Sequence, residues 1–152
     1  MTYASTVPAA LAALAAAFTN ATALAGVEVT DGPPLRNSAA LEALSVGYSP
    51  SEDVDAVEAT VTAEGLNVPD REQYLIHCSL GVLNGDRDLS AARARAYQLH
   101  AAAGAVLAGG QSLGGVVMTA RMGDHTLRQS DTDAGMLARI NFTIRVDAYT
   151  AR

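Results

Sequence analysis

A chain of 152 residues with a single cysteine has the size of one domain and excludes an internal disulfide. Its formal charge of −6 argues against a nucleic-acid grip by its surface as a whole. Hydrophobic residues reach 49% but aromatics only 5%, without Trp, so Ala, Val, Leu and Ile must fill the core.

The first predicted element is an amphipathic helix capped by Ser5 or Thr6, with Pro8 in its first turn and an end at Gly26. Val7, Leu11, Leu14, Phe18, Ala21 and Ala25 share one face. The same segment has the apolar run of a secretory signal, and Ala23-Leu24-Ala25 looks like a cleavage site. No Arg or Lys precedes Arg36, so the charged leader is missing and the helix reading stands. No stretch supplies the ~20 strongly apolar residues of a membrane span, which predicts a soluble protein.

Short strands follow at Val27 to Thr30, Ala43 to Tyr48 and Ala56 to Ala63, separated by Asp31-Gly32-Pro33-Pro34 and the polar turn Ser49 to Asp53. A long strand starts near Arg71. Tyr74, Ile76, Cys78, Leu80 and Val82 form its apolar face, while Gln73, His77, Ser79 and Gly81 form the wetter one. Asn84-Gly85-Asp86 turns the chain into a helix from Leu89 to about Leu107. Its apolar stripe is Leu89, Ala92, Ala96, Leu99, Ala103 and Val106. Asp86 or Asp88 caps its start, and Gly109-Gly110 is expected to close it in the left-handed conformation.

Val116 to Arg121 reads as a strand, and Met122 to Gly135 as a polar hairpin extension or mobile loop. The last strand, Leu137 to Tyr149, alternates clearly. Its thirteen residues reach roughly 43 Å, so part is expected to project beyond the core. The fold class that emerges is α+β: an antiparallel or mixed β-sheet with two α-helices packed on one face. The other face carries His77, Ser79, Arg139, Asn141, Thr143 and Arg145, a set too mixed for core and suited to solvent or a partner subunit.

Candidate chemistry fails on context. Gly110-Gln111-Ser112-Leu113-Gly114 matches G-x-S-x-G, but a nucleophile elbow needs a strand before the serine and a helix after it. Here that order is reversed. His77 and Cys78 are strand neighbours, pointing to opposite faces, and cannot share a proton. His77, His100 and His125 lie in three elements without ligand spacing, and Asp131-x-Asp133 lacks the rest of a calcium loop. The glycines at 109, 110, 114 and 115 lack the Gly-Lys-Ser/Thr of a phosphate loop. The sequence therefore predicts no catalytic residue, metal or cofactor.

The order of features carries more. An Ala-rich helix leads to Val29-Thr30-Asp31-Gly32-Pro33-Pro34, a long strand, and Asn84-Gly85-Asp86 before an Arg/Ala helix. Leu113-Gly114-Gly115-Val116-Val117, a polar stretch and a final strand ending Val146-Asp147-Ala148-Tyr149 complete it. This resembles the tail-terminator (tail-completion) proteins of long-tailed bacteriophages, particularly those of actinobacterial hosts, over residues 1–152 as one domain.

The resemblance implies a non-enzymatic virion protein that closes into a homo-hexameric ring and caps the tail tube. It would stop tube growth and present a docking surface for the head connector; another head-tail joining (neck or stopper) protein is the neighbouring alternative. Implied partners are other copies, the tail tube protein and the connector, with viral DNA passing through the lumen without specific binding. Ring closure needs two unlike patches per subunit. Asp124, Arg128, Asp131, Asp133, Arg139, Asn141 and Arg145 are the candidate interface residues. Six copies at −6 each would total −36, which suggests an acidic lumen that repels the DNA backbone.

Overall fold

The computed structural model describes residues 4–150. In chain order these form α1 (Val7–Asn20), β1 (Glu28–Asp31), β2 (Glu42–Val46), β3 (Val57–Thr62) and β4 (Arg71–Asn84), then α2 (Leu89–Gly109), β5 (Thr119–Thr132) and β6 (Gly135–Tyr149). The fold is α+β, with one six-stranded mixed sheet and two helices.

The sheet grows outward from β4 and β6. They pair antiparallel along their whole length, from Arg71 opposite Tyr149 to Asn84 opposite Met136. Because both strands alternate in phase, Tyr74, Ile76, Cys78, Leu80 and Val82 lie beside Val146, Ile144, Phe142, Ile140 and Ala138 on one face. All ten are buried. The opposite edge of β4 is shared: β3 pairs with residues 71–76, and β2 with residues 78–82. One half of the sheet is therefore ordered β1-β2-β4-β6-β5, and the other β3-β4-β6-β5.

The apolar face is covered by the helices. From α2 it receives Ala92, Ala96, Leu99, Ala103 and Leu107; from α1, Ala10, Leu14 and Phe18. The small alanines let α2 lie close on β4 and β6. Four stripe positions of α2 fall as the spacing predicts, but Leu107 takes the buried place expected of Val106. The stripe drifts because 3.6 residues per turn is not a fixed three-four alternation.

Several local expectations are corrected. α1 stops at Asn20, and a 3-10 turn at Thr22–Leu24 intervenes before Gly26, so Ala21 and Ala25 leave the helical face. Asp88, not Asp86, caps α2, accepting from Ala91 N at 3.0 Å. Gly109 is still helical, and Gly110 has φ −154° rather than a positive φ. The left-handed turn instead falls on Leu113, Gly114 and Gly115. β1 and β2 are parallel, joined by a ten-residue irregular crossover in which Pro33 and Pro34 prevent strand formation.

Of the two readings of residues 122–135 the hairpin holds and the mobile loop does not: β5 runs on to Thr132, and the hairpin turns at Asp133-Ala134 beside the end of β4. β6 never outruns its partner. Its length is matched by a β4 that reaches Asn84, two residues beyond the predicted apolar alternation.

Candidate assembly surface

With helices on one face, the other face of the sheet is mostly polar, with Leu75, Leu83 and Leu137 among its residues. On β4, β6 and β5 it presents Arg71, Gln73, His77, Ser79, Arg139, Asn141, Thr143, Arg145, Asp147, Arg121, Thr126 and Arg128 at register positions that point the same way. Five of the ten basic residues of the chain thus share one surface.

Arg121 and Arg128 are seven residues apart and would point to opposite faces of a regular strand. A β-bulge between Met122 and His125 inserts one extra residue into β5 and restores the phase. Arg121 then stands opposite Arg145, and Arg128 opposite Arg139. Gly123 belongs in this bulge, since a Cβ there would meet Thr143 O at 3.2 Å and its Oγ1 even closer.

Of the predicted interface residues, Arg128, Arg139, Asn141 and Arg145 share this open face. Asp124 sits in the bulge, 94% exposed at its side chain, 3.7 Å from Arg145 Nη2. Arg139 Nη1 donates to Ser79 Oγ at 2.9 Å, and Asn141 Oδ1 is buried without a partner. Asp131 and Asp133 are not part of the set. Asp131 pairs with Arg87, whose Nη2 also donates to Asp133 O at 3.4 Å, so both belong to the hairpin tip beside α2. At the other end, Arg71 donates from Nε and Nη2 to both Asp147 oxygens at 3.0 and 2.6 Å. This bidentate pair holds the Asp147 carboxyl below its ordinary range and the guanidinium above its own.

Ser112 sits in the turn after α2, where its Oγ accepts from Gly115 N at 3.2 Å. Cys78 is buried, and burial pushes its thiol up to about 12, while His77 faces the other way toward Glu58 Oε2 at 3.3 Å. Among the described residues no group of three or more His, Cys, Asp or Glu could hold a metal, and no helix is long and apolar enough to cross a membrane.

Spacing does not reveal that His100 of α2 and His125 of β5 meet, with ring centroids 5.0 Å apart. Tyr97 OH lies 3.2 Å from His125 Nε2, and Phe142 packs edge-on against His100. Burial, and then the neighbouring His125, lower the proton affinity of His100. Since its folded pKa lies below the unfolded value, the unfolded chain takes the proton first. Stability should be full above pH ~6.5 and fall as the pH drops through the folded pKa. A melting curve at pH 5 should lie on the order of 2 °C below that at pH 7.5, and His100→Phe should flatten the difference. Equal pH dependence in both proteins would refute the assignment.

No family model matches this chain, and no curated protein does either. In fold it is similar to a solved chain described as "Virion of native gene transfer agent (GTA) particle". That similarity has a TM-score of 0.55 at 14% identity, covering 91% of this chain and 93% of the other.

Proposed function

We propose that the chain is a structural virion protein that closes into a ring at the head-proximal end of a phage-type tail tube. There it ends tube growth and offers the docking surface for the head connector. The partners in this reading are other copies of the chain, the tube protein and the connector, with DNA passing through the centre. The role needs no bond made or broken, and no cofactor.

The observation that carries the reading is a pair of unlike open edges. In the β3-β4-β6-β5 half, β3 is unpaired on its outer side at one end, and β5 is unpaired at the other. Residues 58–62 of β3 are exposed, as are most of β5 beyond Ala120. An exposed strand edge is a template for another chain. Successive strands here are all antiparallel, so β5 of one copy runs opposite in direction to β3 of the next. The contact is heterologous, the kind that generates closed rings. The sequence resemblance implies six copies, and the shared fold with a gene transfer agent virion chain supports a virion role.

In this reading the helical layer argues for which face turns inward. α1 and α2 cover the apolar face, and twelve helices would crowd the centre of a six-fold ring; with the helices outside, the open arginine-bearing face lines the lumen. We therefore propose a basic lumen in place of the acidic one expected from net charge.

The test is the native mass and negative-stain shape of the purified chain. A ring at six times 15.6 kDa is expected. Val61, 44% exposed on β3, tolerates Val61→Lys in the monomer, yet a lysine blunts strand addition at that edge. The variant should remain folded by circular dichroism and lose the ring. A strictly monomeric parent at every concentration, or a ring indifferent to Val61→Lys, would sink the proposal.

A further inference from the structure

We infer that the open sheet face is a contact surface for the phosphate backbone of double-stranded DNA, carried by Arg121, Arg128, Arg139 and Arg145. These four belong to one chain, so a single copy presents the surface as fully as a ring does.

Three observations support it. First, charge is segregated. On β4, β6 and β5 this face has five arginines and two strand carboxylates: Asp147, which is held by Arg71, and the exposed Asp124, 3.7 Å from Arg145. At its margins Glu58 pairs with His77 and Glu64 lies 3.8 Å from Arg71, so the carboxylates beside this face are engaged at the end away from Arg128 and Arg139. The net −6 therefore does not describe this surface.

Second, the bulge sets arginine opposite arginine twice, at Arg121–Arg145 and Arg128–Arg139. Like charges directly across a strand pair are unfavourable, and an anion between them reverses the sign. Among the described residues, neither Arg121 nor Arg128 has a side-chain hydrogen bond or an ion pair; Asp124 approaches only Arg145. The two pairs lie six residues apart on β6, roughly 20 Å at the strand rise, which spans several phosphates of a duplex.

Third, the surroundings suit phosphate better than a protein partner. Arg128 and Arg139 share a hollow of about 350 Å³ with Ser51, Ser130 and Asn141, beside the apolar Pro50 and Leu137. Hydroxyl, amide and guanidinium groups are the usual company of phosphate oxygens. Its exposed aromatic, Tyr149, stands at the far end beside Arg71, away from the Arg128–Arg139 pair, and the centre of the face has no aromatic or methionine anchor of the kind protein interfaces concentrate there. Such contacts read no sequence, as befits a surface over which DNA moves.

The experiment is fluorescence anisotropy of the full chain with a short mixed-sequence DNA duplex, between about 20 and 200 mM salt. The parent should bind weakly, with log K falling linearly in log salt. Arg121→Gln with Arg128→Gln should bind about tenfold more weakly at low salt and lower the slope by about 2, one for each phosphate no longer neutralised. Melting temperature should hold or rise, because two repulsions are relieved. No binding by the parent at the lowest salt, or an unchanged slope in the variant, overturns the inference. So does a variant that changes native mass while keeping its DNA affinity, since the face would then meet a second copy. Ring failure in the Val61→Lys test leaves these readouts untouched, so the two ideas fail separately.

Discussion

Gly135→Ala should cost about 4 kcal/mol, read as a lower urea midpoint, through overpacking and a left-handed backbone together. Gly135 is buried at φ +145°, where a side chain is strained whatever the space. Space is also missing. A Cβ would lie 2.8 Å from Asn84 C and 3.0 Å from Gly85 Cα, and closer still to Asn84 O. All three are backbone atoms at the end of β4, so no flexible tip can yield. The β4–β6 ladder closes at this point, with Asn84 opposite Met136, so the strain is delivered to the pairing that builds the sheet. Gly114→Ala is the control. Gly114 has φ +72° but nothing within 4 Å of its Cβ position, so it should lose only the left-handed penalty of about 1–2 kcal/mol. A Gly135 variant no less stable than the Gly114 variant would remove the close-approach account.

The contrast between these glycines also marks what a sequence can reveal. The alternation in β4 and β6 is legible because one face is buried along its whole length, so every second residue is constrained. That is enough to place Arg139, Asn141 and Arg145 on a common polar face. β5 is different. As an edge strand it is exposed from His125 on except at Leu127 and Thr132, and a strand wet on both sides carries no period-two signal. Its helix-side positions, His125, Gln129 and Asp131, are polar because α2 covers the sheet only in part. Hence a 14-residue strand reads like a loop.

The bulge is harder still. The distance between Arg121 and Arg128 says opposite faces, and only the extra residue at Gly123-Asp124 brings them together. A lone glycine within a strand is the one local hint. Asp131 and Asp133 enter the candidate surface because a loop has no sides. Once the loop is a hairpin, its tip falls beside Arg87. Net charge fails for a related reason. It averages over the whole surface and cannot show that five of the arginines gather on one face.

Glu72→Ala should be among the most damaging polar substitutions, lowering stability by about 3 kcal/mol. Glu72 lies on the apolar face of β4, two residues before Tyr74, and is 1% exposed. Among the described residues no cation pairs with it; its charge is held by hydrogen bonds alone. Ser5 Oγ donates to Oε2 at 2.6 Å, and Thr6 donates to Oε1 from N at 2.7 Å and from Oγ1 at 2.9 Å. Thr6 Oγ1 also lies 2.9 Å from Tyr74 OH. Thr6 is the cap residue of α1 and makes no side-chain bond to its own helix, because its hydroxyl is used here. The cap thus stands where the sequence puts it but has a different job: it fastens the helix to the sheet.

Removing the carboxylate leaves the Thr6 amide buried and unpaired, and each bond to a charged acceptor contributes roughly 1.5–3 kcal/mol. Relief of the buried charge offsets part of that sum. Glu72→Gln separates the two effects. Its one carbonyl oxygen can still accept both Thr6 bonds, and its NH2 can donate to Ser5 Oγ, whose hydroxyl can turn to receive it. The glutamine should therefore cost about 1 kcal/mol, the penalty of replacing charge-assisted bonds by neutral ones. Hydrogen exchange in Glu72→Ala should show α1 losing protection ahead of β4 and β6, because only its N-terminal fastening is cut while Leu14 and Phe18 stay buried. If the alanine and glutamine variants lose stability equally, the carboxylate is tolerated in the core and does not anchor the helix.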